Sequence, residues 1–322
     1  VDARSALADR AFKKATFGTH LYGRSGSGTL KSVTALKRQS VVAYHTANMV
    51  PEASAIGMAG DFDTDQTLEA LETLFGAKAW PRGQARKDPW KGLKPAPQPT
   101  GIRVILVDTG DETLNQAQFR LGIPLTRRYS DEGWHASHIL GQVLGGGFTA
   151  RLNDRLRVKA GLTYGARWRM EDDDVAPGGG YLTTYTSPQD VIKALEMTLE
   201  EIARIRTEPV PEKELDGVKQ RLIRGFVFRF ETAENVLGEH MDLWQERLAI
   251  DHLSQLPVRL GAVTAKSLAG VMSDLPDKAY VVAIVGNQLM QPALKTWTQK
   301  MGATLEVVGL DWLGVARPTD AK

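Results

Sequence analysis

Apolar positions along the chain fall into two patterns. Short apolar runs bounded by glycine or polar turns read as buried strands, and stripes at three- and four-residue spacing read as amphipathic helices. Ile102 to Val107 is a strand on this basis, and Ala117 to Ile123 a second, interrupted by Gly122. Residues 131–144 carry helical spacing through Trp134, Ile139, Leu140, Val143 and Leu144. Residues 160–170 and 180–186 read as strands joined by the acidic, glycine-rich loop 171–179. Pro188 opens a helix with the stripe Ile192, Leu195, Leu199 and Ile202, where a proline in the first turn is well placed. Pro211 opens another helical stretch, reaching Ile250 and broken near Thr232. Runs of this kind predict the α+β class, with a largely antiparallel sheet flanked by helices in an α/β sandwich.

Part of the pattern repeats. Residues 53–77 and 279–303 align without a gap at an offset of 226, so that Ala53 falls on Ala279, Gly60 on Gly286, Leu68 on Leu294 and Gly76 on Gly302. Each copy is a short apolar strand ending at glycine, a polar turn and an amphipathic helix. Leu68, Leu71, Leu74 and Phe75 form the first stripe, and Leu294, Trp297 and Met301 the second. Between the copies, residues 81–100 hold five prolines and five basic residues, a linker composition. By the offset, Val1 falls on Val227, so the first copy lacks roughly 125 residues at its start, on repeat logic. The expected organisation is the C-terminal part of a first domain over 1–80, a proline-rich linker over 81–100, a complete second domain over 101–312 and a tail over 313–322. The chain starts at Val1, without Met, directly in helix-like sequence. That start reads as a truncation or processing point, upstream of which a targeting segment has room.

Composition removes several function classes. Forty basic and 38 acidic residues give a formal charge of +2, which is no electrostatic footprint for nucleic acid or an anionic membrane. There are no cysteines, which excludes disulfides, thiolate zinc sites and cysteine nucleophiles. No apolar run has the length needed to span a bilayer.

Six histidines are the first candidates for metal chemistry. His135 and His138 form H-x-x-H on one helix face, a spacing at which two imidazoles can share a metal. No Glu stands beside them at helical spacing, and a site also needs a third ligand and a base, so surface or capping roles fit them better. Neither H-E-x-x-H nor H-x-x-E-H occurs, and Glu239-His240 is half a motif with nothing before it. The expected metal ligands in this chain are none. G-x-S-x-G, S-x-x-K and a phosphate loop are also missing. The triplet Gly145-Gly146-Gly147 follows a helix, where a phosphate cradle would precede one, and as local structure it reads as a C-cap and turn.

From that triplet the chain runs L-G-G-G-F-T-A-R-L-N-D-R-L-R-V-K-A-G-L-T-Y over residues 144–164. Arg151, Arg155, Arg157 and Lys159 precede Gly161-Leu162-Thr163-Tyr164. A charge run of this sort is ordinarily a solvated helix face.

The order of these motifs resembles the pitrilysin/insulinase family of inverted-zincin peptidases. The stretch 144–164 is similar to that family's second-domain signature, a glycine-rich turn followed by R-L-x-x-x-(L)R and G-L-x-Y. Phe17-Gly18-Thr19-His20-Leu21-Tyr22-Gly23-Arg24 resembles its F-G-x-H-P-Y-G-R turn, with Leu21 replacing the usual proline. Asn48-Met49, Gly60-Asp61 and Gln118-Phe119-Arg120-Leu121-Gly122 resemble its strand entries and ends. The resemblance covers residues 10 to 290. Where the second copy would place H-x-x-E-H, it has His138-Ile139-Leu140-Gly141-Gln142, without a carboxylate or a second imidazole.

The resemblance implies repeated sandwich domains of the metallohydrolase-like, pitrilysin type, and a subunit of a zinc-dependent metalloendopeptidase that works on peptides. By position, Arg157 and Tyr164 grip the substrate backbone, and Gly145, Gly146 and Gly147 let an extended substrate approach closely. Zinc belongs to the assembled enzyme and none to this chain alone, which is expected to be inactive by itself. The motif H-x-x-E-H comes from a missing N-terminal segment or from a homologous partner chain, a heterodimer in the second case. The alternative is a non-catalytic structural or binding relative of the same family. The expected location is the periplasm or cell envelope, with the cytoplasm as the alternative.

Overall fold

The computed structural model describes residues 3–80, 93–129, 131–171 and 176–315. Most of the proline-rich segment, part of the acidic loop and most of the tail, 81–92, 172–175 and 316–322, lie outside the described residues. In chain order the helices are α1 Ala3–Phe17, α2 Leu30–Thr34, α3 Arg38–Asn48, α4 Thr64–Phe75, α5 Trp134–Gly145, α6 Val191–Thr207, α7 Glu212–Phe226, α8 Ala233–Gln245, α9 His252–Gly261, α10 Ala265–Met272 and α11 Gln291–Met301. The strands are β1 Arg103–Asp108, β2 Ala117–Pro124, β3 Arg167–Met170, β4 Gly179–Thr186, β5 Val281–Gly286 and β6 Thr304–Gly309. The chain divides into two units. One holds Val1–Leu30, Lys94–Ile223 and Gln255–Lys322; the other holds Lys31–Leu93 and Arg224–Ser254.

The first unit is built on one sheet of order β3-β4-β2-β5-β1-β6. The three pairings β3–β4, β4–β2 and β2–β5 are antiparallel, and β1 pairs in parallel with β5 and β6. This is the mixed, mostly antiparallel sheet with flanking helices that the α+β pattern predicts. β2 and β5 are buried along their whole length, so both faces are covered. On one face α1 packs Ala8, Ala11 and Phe12 against Ile105, Val107, Ala283 and Val285, and the rings of Phe12 and Tyr181 lie 4.5 Å apart. Burial pushes the Tyr181 hydroxyl up to about 12, with Glu171 and Asp9 adding to the shift.

Arg120, on β2, points to that face and is 2% exposed. Its guanidinium reaches Asp9 at 2.6 Å and the Ser5 hydroxyl at 2.8 Å, both on α1. A buried guanidinium is tolerable only when paired and hydrogen-bonded, so α1 is as much a part of this unit as the strands.

Two expectations need correction. Residues 160–170 are not one strand: residues 153–159 form a π-helix, Gly161 turns the chain with φ +64°, and only Arg167–Met170 joins the sheet. The apolar run before Gly60 is not a strand either, whereas its counterpart β5 is. The difference lies in partners. β5 has β1 and β2 on its two sides, and residues 54–60 have no ladder partner among the described residues. An unpaired strand has nowhere to place its backbone hydrogen bonds.

The repeated helices differ in the same way. Leu294 and Trp297 of α11 are buried, while Leu68, Leu74 and Phe75 of α4 are exposed. Val41, Val42, Tyr44, Ile56 and Met58 of the second unit are exposed as well, more apolar surface than a soluble unit ordinarily shows. Within that unit, Gly57 lies so close to α8 that a Cβ would meet Leu237 at 2.6 Å. No helix among the described residues is long and apolar enough to cross a membrane.

Limited proteolysis of the purified chain checks this contrast. Cuts within residues 31–75 are expected about tenfold or more faster than cuts within α1, which is locked to the sheet. Equal cleavage of the two stretches would count against it.

Candidate functional site

α5 ends on β3 at very short range. A Cβ on Gly145 would stand 2.2 Å from the backbone nitrogen of Trp168, so only glycine allows the helix end to lie there. The next two glycines are held from within the chain. Arg221 donates to the Gly146 carbonyl at 2.6 Å, and the Asn153 amide donates to the Gly147 carbonyl at 2.8 Å. Gly145 is buried, and Gly146 and Gly147 are half-buried.

The four basic residues that follow go to different places. Arg151 forms a two-pronged pair with Glu214, at 2.9 and 2.7 Å, and that hydrogen bonding holds its pKa above the ordinary arginine value. Arg155 reaches Glu201 at 3.2 Å and also pairs with Glu200. Lys159 pairs with Asp154 at 2.6 Å. Glu201 on α6 is itself buried, with Arg151, Arg155 and Arg204 around it. Arg157 alone of the four has no carboxylate partner among the described residues. Its guanidinium lies 4.0 Å from the centre of the Phe148 ring, a cation–π contact with an aromatic that is itself exposed. The π-helical winding is a rare geometry, met mostly as short bulges and often at functional sites.

Tyr164 stands 79% exposed on the turn between that helix and β3. The turn beneath it is tightly made. The Thr163 hydroxyl accepts from the Gly165 amide at 3.1 Å, and the Thr184 hydroxyl on β4 donates to the Gly165 carbonyl at 2.8 Å. On the other side of Tyr164, the Ala166 amide donates to Asn153 Oδ1 at 2.8 Å. The glycine turn, Arg157 and Tyr164 therefore belong to one hydrogen-bonded block. Phe148, Asn153, Thr163, Thr184 and Glu201 were not legible as parts of it. The signal for Glu201 was a second carboxylate in Glu200-Glu201 set between apolar stripe positions Leu199 and Ile202.

The histidines of α5 serve packing. His138 stacks on Trp134 at 4.9 Å, and His135 meets the same ring edge-on at 5.3 Å. Three residues on from His138, Gly141 has no room for a carboxylate, since a Cβ would meet Trp168 at 2.8 Å. Gln142 accepts from Arg221 at 3.3 Å. Among the described residues no group of three or more His, Cys, Asp or Glu is placed to hold a metal. The donors among the described residues do not fit a zinc ion.

Residues 145–164 fall inside the part of the chain that known proteins resemble. The family model described as the peptidase M16 inactive domain matches residues 35–222. An uncharacterized zinc protease of Mycobacterium leprae is 26% identical over 290 residues, 88% of this chain and 62% of that protein. A non-peptidase homolog of Helicobacter pylori is 25% identical over 233 residues, 72% of this chain and 51% of that protein. The crystal structure of a peptidase M16 inactive domain from Pseudomonas fluorescens has the same fold, with a TM-score of 0.75 at 22% identity over 88% of this chain and 66% of that one. The chain spans less than two thirds of the length of these relatives.

The partition of the arginines predicts a split in stability. Arg155→Ala should cost about 1–2 kcal/mol, since Glu201 stays buried with one guanidinium fewer. Arg157→Ala should cost under about 1 kcal/mol, the value of an exposed cation–π contact. Urea unfolding of the two variants measures the difference, and equal losses would contradict the partition.

Proposed function

The chain belongs to the peptidase M16 family through its inactive domain, and from that premise we propose that it is the substrate-holding part of a zinc-dependent metalloendopeptidase. The observation that carries this reading is Arg157, the one cation of its run left without a carboxylate among the described residues, on the same hydrogen-bonded block as the exposed Tyr164. A guanidinium offers a planar fork of donors to a peptide carbonyl or a terminal carboxylate. A tyrosine hydroxyl donates to a carbonyl oxygen as charge develops on it. Together they fix a peptide backbone in place, which is worth several powers of ten when the reacting atoms must be aligned.

The zinc motif is then supplied by a segment preceding Val1 or by a homologous partner chain. Of the expected first-domain stretch 1–80, α1 joins the sheet unit; on this proposal residues 31–80 are the closing part of the first domain, and the rest of that domain covers the exposed stripes of α3 and α4. The length of the relatives supports this, as does the name zinc protease that several of them carry. A place in the periplasm or cell envelope fits the same proposal. The second reading, a non-catalytic relative, has the Helicobacter protein in its favour.

The test is steady-state kinetics of this chain assembled with its zinc-bearing half. Tyr164→Phe removes one hydroxyl and is expected to lower kcat about ten- to a thousandfold. Arg157→Ala is expected to raise KM as well, with kcat/KM down about a hundredfold. Arg155→Ala is a stability control here, not a solvated bystander. Unchanged kcat/KM for both Tyr164→Phe and Arg157→Ala would sink the reading, and an assembly without peptidase activity would favour the second one.

A further inference from the structure

We propose that Asn153 is a positioning residue that sets the direction of Tyr164 and ties it to the support of Arg157; this rests on the peptidase reading above. Asn153 is 6% exposed, and both ends of its amide are engaged. Nδ2 donates to the Gly147 carbonyl at 2.8 Å, and Oδ1 accepts from the Ala166 amide at 2.8 Å. A donor end facing a carbonyl and an acceptor end facing an N–H leave one amide orientation, so the side chain is a rigid strut.

The strut joins two points that matter. Gly147 directly precedes Phe148, the ring on which the Arg157 guanidinium rests. Ala166 is fully buried and follows Tyr164 by two residues, directly before β3. Tyr164 projects into solvent, so the backbone on either side sets its direction. Thr163 and Gly165 anchor that backbone to Thr184 on β4. Asn153 supplies a further anchor, one that reaches back to the glycine turn. This geometry gives the asparagine between Leu152 and Asp154 a structural role that no other residue of the run has.

Three measurements on the full chain and its zinc-loaded assembly test this. The first is amide hydrogen exchange of the full chain. Asn153→Ala should speed exchange across residues 160–166 about tenfold or more and leave β2 and β5 unchanged. The second is a kinetic cycle. Asn153→Ala should lower kcat about ten- to a hundredfold with a smaller change in KM, because a displaced hydroxyl acts on the chemical step. The double variant Asn153→Ala/Tyr164→Phe should be no slower than Tyr164→Phe by more than about twofold, since the two changes remove one function. The third is Asn153→Asp, which keeps the size and the acceptor for Ala166 but sets a charged acceptor against the Gly147 carbonyl. It should lower kcat in the same direction as Asn153→Ala, and it carries the same cycle if the alanine variant fails to fold. Unchanged exchange at 160–166 overturns the proposal, as does a double variant whose losses multiply. A silent Tyr164→Phe overturns the peptidase reading and the positioning role together; a damaging Tyr164→Phe with multiplying losses overturns the positioning role alone.

Discussion

One buried carboxylate orders the site. Glu201 sits on α6 at 1% exposure, and a charge so placed is costly unless cations surround it. Arg151, Arg155 and Arg204 do so. Two of the three come from the basic run: Arg155 joins the π-helix to α6, and Arg151, just before that helix, is shared between Glu201 and Glu214 of α7. The run is therefore neither the plain solvated face that its charge suggests nor a uniform basic patch. Lys159 answers to the first description, paired with Asp154 at the surface. Arg157 answers to neither and remains available, which is what separates it from its neighbours.

The second copy of the repeat was legible because its pattern and its environment agree. β1, β2, β4, α5 and α6 lie within a few residues of where spacing puts them, and Thr232 caps α8 at the expected break. Apolar spacing states which face an element needs to bury, and in the second copy something is there to bury it against. In the first copy the helix forms, since its hydrogen bonds are internal, with Asp63 capping Gln66. The strand does not form, because a strand's hydrogen bonds are with its neighbours. The exposed stripe of α4 is the same fact seen from the side chains.

The candidate site is named in the sequence only as motif positions, and the contacts that hold those positions are hidden there, for a related reason. Arg157 and Tyr164 came from motif order, which identifies the residue type at a position. The residues that fix them act through single hydrogen bonds between points far apart in spacing: Asn153 to Gly147 and Ala166, and Thr184 to Gly165. No periodicity announces such bonds. Arg120 shows the same limit. It was read as one letter of a strand, and its burial against Asp9 on α1 depends on a helix more than a hundred residues earlier.

The glycine triplet gains a more definite meaning from these contacts. Glycine next to a substrate groove is usually credited with letting the ligand's backbone come close. Here the close approach at Gly145 is to Trp168 of β3, and the Gly146 and Gly147 carbonyls already accept from Arg221 and Asn153. Each engaged carbonyl still has a second lone pair, but its direction is set by the first bond. The triplet is thus a joint that brings the end of α5, the start of the π-helix and β3 to one place. β3 is the edge of the sheet, and its outer side has no strand partner among the described residues. What the triplet contributes in the structure is this joint, since a side chain at Gly145 would force the end of α5 away from Trp168.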